Sequence, residues 1–207
     1  MSPRRSVIPL EVRRFVLASA NPHKARELAA VLAGWKVEPL GPSDFPEETG
    51  ATFEENARAK ALFGRSRAPA EAWVAGEDSG LEVDALGGAP GIRSARFAGE
   101  DASDEENVAR LLCELADAEA MRDARYVCEL VCFAPDGREL RARGVLAGLI
   151  ARERRGSGGF GYDPVFVPDG ESRTVAELGD AWKAARSHRA QAARALAERL
   201  GEAGEGV

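Results

Sequence analysis

Little in this 207-residue sequence could staple a fold together except its own core. It has three cysteines, Cys113, Cys128 and Cys132, with no C-x-x-C pair. That pattern excludes a disulfide scaffold and reads as reduced thiols in a cytoplasmic protein. No apolar run approaches the roughly 18 residues of a membrane span, and the N-terminus has no secretory apolar core, so no membrane association is expected. Positive charge is not in excess either: 28 Lys and Arg stand against 34 Asp and Glu, a net charge of −6. A protein held mainly by nucleic-acid phosphates needs a basic face, so nucleic acid is not an expected partner. A small anion remains allowed, because a local site can oppose the global sign. Lysine is scarce: Lys24, Lys36, Lys60 and Lys183 leave 24 of the 28 basic residues as arginine.

What is present fits an ordinary globular chain, with 44% hydrophobic and 30% charged residues. Its length suits one or two domains. No internal linker or repeat interrupts it, so one domain over 1–207 is expected, with 1–12 a loose basic extension and 201–207 a fraying tail.

Residues 14–19 read as an apolar strand. Asn21-Pro22 then starts a helix whose end suits Gly34, with Ala25, Leu28, Val31 and Leu32 on one face. Thr52 with Glu55 predicts a capped helix running toward Arg67, and Ser103 with Glu106 another to about Ala120. Strands are expected at 73–76 and 81–86, with a loop tip between. The alternating stretch 124–134, the turn Pro135-Asp136-Gly137 and 138–150 read as a long hairpin. Residues 156–170 read as irregular, and a final helix is expected over about 181–200. This order predicts an α/β fold, a mixed sheet flanked by helices.

Four groups of residues carry candidate chemistry. Ser19-Ala20-Asn21-Pro22-His23-Lys24 joins a strand to a helix start, where free N–H groups and an ammonium can meet an anion. The acidic pairs Glu47-Glu48 and Glu77-Asp78 come from separate segments; two such carboxylates with phosphate oxygens and waters suit Mg²⁺. The run 156–164 is too glycine-rich for a simple turn, and Phe160, Gly161, Tyr162 and Asp163 within it offer a stacking face and an acceptor. Lys183 and Ser187-His188-Arg189 lie on the last helix. There Lys183 and Ser187 share a face, and His188 and Arg189 lie round the side.

In this order the segments resemble the inosine triphosphate pyrophosphatase family, from about Phe15 to Ala195. The resemblance rests on S-x-N-x-x-K (19–24), E-E-T-G-x-T-F-x-E-N (47–56), and D-S-G-L-x-V-D-A-L-G-G-A-P-G-I-x-S-A-R (78–96). It continues through G-G-F-G-Y-D-P (158–164) and K-x-x-x-S-H-R (183–189). It implies an elongated sheet with two lobes and a nucleotide cleft between them, and a homodimer. It also implies Mg²⁺-dependent hydrolysis of the purine nucleoside triphosphates ITP, dITP and XTP to monophosphate and pyrophosphate. By that resemblance Ser19 to Lys24 hold the triphosphate, and Asp78 is general base and metal ligand with Glu47 beside it. Ser79, Phe160 to Asp163 and Lys183 line the nucleotide site, while His188 and Arg189 contact the base.

Such chemistry asks for charge neutralisation and positioning more than covalent help, and an arginine donor at the base edge favours a 6-oxo purine. Glu77 stands where many relatives carry Asp, which leaves it as a further metal-ligand candidate. Ala20 replaces a frequent glycine, and Arg186 a usually apolar residue. A Maf-like pyrophosphatase for other nucleotides and a non-catalytic nucleotide sensor are the alternative readings.

Overall fold

A computed structural model describes residues 13–41, 45–116 and 121–204. The extension at 1–12 lies outside these residues, as do 205–207.

Six strands form one mixed sheet in the order β2-β1-β3-β4-β5-β6. β1 (Arg13–Leu17) runs parallel to β2 (Trp35–Pro39) on one side and to β3 (Trp73–Val83) on the other. β4 (Asp123–Phe133), β5 (Glu139–Ile150) and β6 (Phe166–Pro168) then join antiparallel. The expected hairpin is there: β4 and β5 pair along their whole length, from Asp123 opposite Leu149 to Phe133 opposite Glu139.

β3 departs from expectation and matters most. Residues 77–80 are not a loop tip, and one strand of 11 residues runs through them. β4 pairs with it continuously, from Val74 opposite Phe133 to Val83 opposite Ala124. β1, by contrast, pairs only with Trp73 to Ala75. Beyond that fork, the β1-side edge of β3 is open where Glu77, Asp78 and Ser79 occur.

α1 (Pro22–Ala29) is capped as read, since the His23 N–H donates to Asn21 Oδ1 at 2.9 Å. It stops at Ala29 rather than near Gly34, and turns lead into β2, a strand the sequence reading missed. β2 is a half-exposed edge strand containing Lys36, Glu38 and Pro39, so it lacks the alternation that marks a buried strand. α2 (Phe53–Arg65) starts at Thr52, whose hydroxyl accepts from Glu55 N; the Glu55 carboxylate accepts from Ala51 N instead of closing the box. It packs against β3 at Gly76, where an added Cβ would lie 2.0 Å from the Ala57 carbonyl oxygen. Only glycine allows that approach. α3 (Asp104–Glu114) has the full capping box of Ser103 and Glu106 and ends earlier than expected.

The expected last helix is two. α4 (Val175–Arg186) is broken internally at Gly179 (φ 81°, ψ 177°). Ser187 then leaves helical geometry (φ −60°, ψ 158°) before α5 (His188–Gly204), and its hydroxyl accepts from Ala190 N at 3.1 Å. α5 continues through Gly201 to Gly204, where fraying was expected. Within 156–170, read as irregular, Phe166–Pro168 forms β6 against Gly148–Ile150.

Among the described residues, the two larger hydrophobic cores sit toward opposite ends of the long strands. One gathers Phe15, Leu28, Ala75, Leu130 and Leu196; the other gathers Leu81, Leu111, Tyr126, Ile150 and Phe166. Among the described residues, no helix is long and apolar enough to cross a membrane.

Candidate active site

Side chains alternate across a strand, so neighbours on β3 face opposite sides of the sheet. Ala75, Glu77, Ser79 and Leu81 share one face, covered by α1 and α5 at Ala75 and by α3 at Leu81; Gly76, Asp78 and Gly80 share the face of α2. The acidic pair read as one unit is therefore two half-sites.

Glu77 is fully buried. Its Oε2 lies 2.6 Å from Lys24 Nζ, and Arg189 Nη2 donates to Oε1 at 3.2 Å. Burial alone would raise its pKa, but the Arg189 and Lys24 charges and the Ser79 hydroxyl overcome that and hold it well below the usual carboxylate value. Arg189 also donates to Ser79 Oγ at 3.0 Å and to Glu27 Oε2 at 2.6 Å. Glu27, from α1, reaches Lys183 Nζ at 3.4 Å through its other oxygen. The break at Ser187 makes this possible: it redirects α5 so that Arg189 and Lys183 converge on one carboxylate. His188 and Arg189 are buried, against the expectation for lone polar residues on a continuous helix.

The base-sized part of the site lies alongside, in a cavity of about 190 Å³. Phe160 rests under the Lys183 ammonium, 3.8 Å from its ring centre. Lys183 donates to Asp163 Oδ2 at 2.7 Å, and the Phe160 N–H donates to the same oxygen at 3.0 Å. Burial nonetheless raises the Asp163 pKa. Gly159 makes this knot possible. Its φ is 76°, and an added Cβ would lie 2.1 Å from Asp163 Oδ2. Gly161 N donates to Asp104 Oδ2 at 2.6 Å, and the Tyr162 hydroxyl donates to the Ser94 carbonyl at 2.8 Å. His188 stacks on Tyr126 (4.6 Å, 10°). Burial, with Arg189 and Lys183 beside it, drives the His188 pKa well below 6.5, so the imidazole is neutral. Its Nδ1 is buried with no protein partner.

At the cavity mouth is the Ser19–Lys24 segment. Asn21 and Lys24 line the cavity, and Asn21 N donates to Ser19 Oγ at 3.1 Å. Ala20, Pro22 and His23 are exposed, and the His23 ring lies 5.7 Å from Phe160.

On the α2 face, Asp78 Oδ1 accepts from Lys60 Nζ at 2.7 Å and Oδ2 from Asn56 Nδ2 at 3.2 Å. The same ammonium lies 2.5 Å from Glu48 Oε1, and Arg96 Nη1 donates to Glu48 Oε2 at 2.9 Å. Burial outweighs Lys60 and raises the Asp78 pKa, with Glu48 adding to the rise. Burial would lower the Lys60 pKa, but Asp78 and Glu48 raise it. Glu47 is exposed; it is Glu48 that shares a cation with Asp78.

The two oxygen donors around one ammonium define what a cation could find here. Among the described residues no three His, Cys, Asp or Glu side chains converge as a complete metal cage. A pair of carboxylates with room for phosphate oxygens and water is instead the kind of incomplete set that suits Mg²⁺. The residues present fit it, as the Lys60 charge between them already indicates.

The profile of the Ham1 family matches residues 15–199. The chain belongs to the Ham1 family. Among Ham1 relatives, a dITP/XTP pyrophosphatase of Methylococcus capsulatus is 49% identical over 91% of this chain and 96% of its own length. One of Exiguobacterium sibiricum is 47% identical, over 88% of this chain and 94% of its own length. The solved Ham1 protein of Staphylococcus aureus superposes with a TM-score of 0.82 at 37% identity, over 92% of this chain and all of that one.

To the motifs read from the sequence, the structure adds four polar residues that had been assigned no role in the site. Lys60 was noted only as one of four scarce lysines, and Glu27 was not considered. Asn56 was quoted only within a motif. Glu48 was read as half of the acidic pair Glu47-Glu48, with Glu47 as the metal-ligand candidate. The scarcity of lysine was the one available signal for Lys60.

Proposed function

We propose that this Ham1-family chain hydrolyses deaminated purine nucleoside triphosphates, dITP, ITP and XTP, to the monophosphate and pyrophosphate. The observation that carries this reading is that adjacent residues of β3 serve two features: Ser79 lines a base-sized cavity with Lys183, Arg189 and Phe160, and Asp78 pairs with Glu48 around Lys60. The names of its relatives support the same substrate class.

In this reading Phe160 stacks on the base, and the Lys183 and Arg189 donors favour oxo groups over an amino group. The neutral His188 imidazole meets the base edge. Ser19, Asn21 and Lys24, with the N-terminus of α1, hold the phosphates. Asp78 takes a proton from the water whose oxygen bonds to the α-phosphorus, while the bond from that phosphorus to the bridging oxygen breaks and pyrophosphate leaves. Lys60 and Asn56 each hold one of the Asp78 oxygens, which fixes the carboxylate in place to accept that proton. Asp78 and Glu48 would hold Mg²⁺, with the geometry favouring Glu48 over Glu47; when bound, the ion neutralises phosphate charge and lowers the pKa of bound water. The proposed working form is a cytoplasmic homodimer with neither nucleic acid nor membrane as partner.

Product analysis tests the reaction. Pyrophosphate plus monophosphate is expected from dITP and XTP; orthophosphate plus diphosphate would reject attack at the α-phosphorus. On a panel of dITP, XTP, dTTP and dATP, turnover of dITP no faster than dATP would reject the base assignment.

A further inference from the structure

Glu48 lies outside any helix or strand, so its carboxylate depends on its neighbours for position. Lys60 holds one oxygen but is shared with Asp78. Arg96 holds the other. The second carboxylate near Arg96 is Glu100, 3.8 Å away with an 86% exposed side chain, so Glu48 is its main anchor point.

Arg96 itself stands on a pinned support. It closes a 3-10 helix, Gly91–Arg96, tied to three other elements. Leu81 N, from β3, donates to Ser94 Oγ at 2.8 Å. Asn107 Nδ2, from α3, donates to the Ala95 carbonyl at 3.0 Å. The Tyr162 hydroxyl, from the aromatic loop, donates to the Ser94 carbonyl. Ser94 and Ala95 also line the base-sized cavity. One short helix therefore forms part of the cavity wall and, two residues on, fixes the carboxylate on the opposite face of the sheet.

We infer that Arg96 is a positioning residue for the hydrolysis, holding Glu48 in register with Asp78 before substrate arrives. This rests on the reading of Glu48 and Asp78 as the pair at the reacting phosphate. Arg96 and Glu48 are both partly exposed, so their ion pair adds little to folding stability. Its value lies in geometry, because loss of an outer partner of a metal-holding group weakens metal affinity or activity by about 10–100-fold.

The test compares Arg96→Ala, Arg96→Lys and the control Glu100→Ala in the full chain. With dITP, Arg96→Ala is expected to lower kcat by about 10–100-fold and to raise the Mg²⁺ concentration for half-maximal rate, with KM for dITP little changed. In the nucleotide-free protein its thermal midpoint should stay within about 2 °C. Amide exchange at Gly50, whose N–H donates to Asn56 Oδ1 in the Glu48 segment, should accelerate. Arg96→Lys keeps one charged donor and should recover part of kcat, and Glu100→Ala should match the parent. Unchanged kcat and Gly50 exchange in Arg96→Ala would overturn the inference, as would a rise in KM with kcat kept. A parent that fails to hydrolyse dITP would sink the proposed function, while Gly50 exchange would still report whether Arg96 orders the Glu48 segment.

Discussion

Glu77 and Asp78 are adjacent on one strand, both carboxylic acids and both buried, yet the two faces of the sheet treat them in opposite ways. Glu77 meets Lys24 and Arg189 and is held well below its ordinary pKa. Asp78 meets one lysine already shared with Glu48, and its pKa is raised. The difference stems from how the cations are placed: Lys24 and Arg189 both sit on Glu77 and outweigh its desolvation, whereas Asp78 has only Lys60, shared with Glu48, which takes Arg96 as its own second cation. Glu77 is thus a permanent anion that gathers Lys24 and Arg189 at the cavity. Asp78 is the group poised to take a proton. Two carboxylates pushed apart by their surroundings are a recurring way to divide labour within one site.

The sharpest way to break that division is Asp78→Asn. Loss of a general base costs about 10²–10⁴-fold, and here kcat should fall toward the upper end while equilibrium nucleotide binding is kept. Residual turnover within tenfold of the parent would move the base elsewhere. On the other face, Glu77→Gln should act on stability. It leaves Arg189 with Glu27 alone and Lys24 without its 2.6 Å partner. Removing one member of a buried ion pair costs about 3–5 kcal/mol. At about 2–4 °C per kcal/mol for a chain of this size, calorimetry should show a melting point roughly 10 °C lower. A change below about 2 °C would mean that Glu77 is not the anchor described.

A smaller effect separates the other acidic pair. Glu48→Gln should lower kcat by about 10²-fold, as expected for a group holding a metal against phosphate, and Glu47→Gln should leave it within about twofold. The reverse order would restore Glu47 as the partner of Asp78.

Much of this site was legible as ordered motifs, since Lys24, Asp78, Asp163, Lys183 and Arg189 each fall inside one. What the motifs could not convey was facing. Glu47 and Glu48 lie in an irregular segment, where no periodicity tells which side chain turns inward. The run Glu77 to Gly80 looked like a loop because four polar or small residues rarely fill a central strand. It stays a strand because its partners, Lys24, Lys60 and Arg189, arrive from helices 17 to over 100 residues away. The long hairpin and the capped starts of α1, α2 and α3 were readable because their signals are local. β2 and the break at Ser187 were not. An edge strand with mixed polarity carries little pattern, and a serine between helical stretches gains meaning only when its hydroxyl caps the start of α5.

The least of the expected effects concerns pH, and it tests the comparison by sign. Glu77 has a folded pKa below its ordinary 4.5, so its contribution to stability is present above that value and lost as pH falls through the folded pKa. Asp78 has a folded pKa above its ordinary 3.8, so its charged form opposes folding. That cost is fully present above the folded pKa and vanishes once pH falls below the unfolded one. Asp78→Asn should therefore raise the neutral-pH melting point slightly, with Lys60 still paired to Glu48, and the gain should shrink on acidification. Glu77→Gln lowers the same melting point, with a deficit that narrows only below about pH 4.5. Opposite signs at pH 7 are the signature of two faces doing different work; a drop in both variants would mean that Asp78, too, is an anchoring anion.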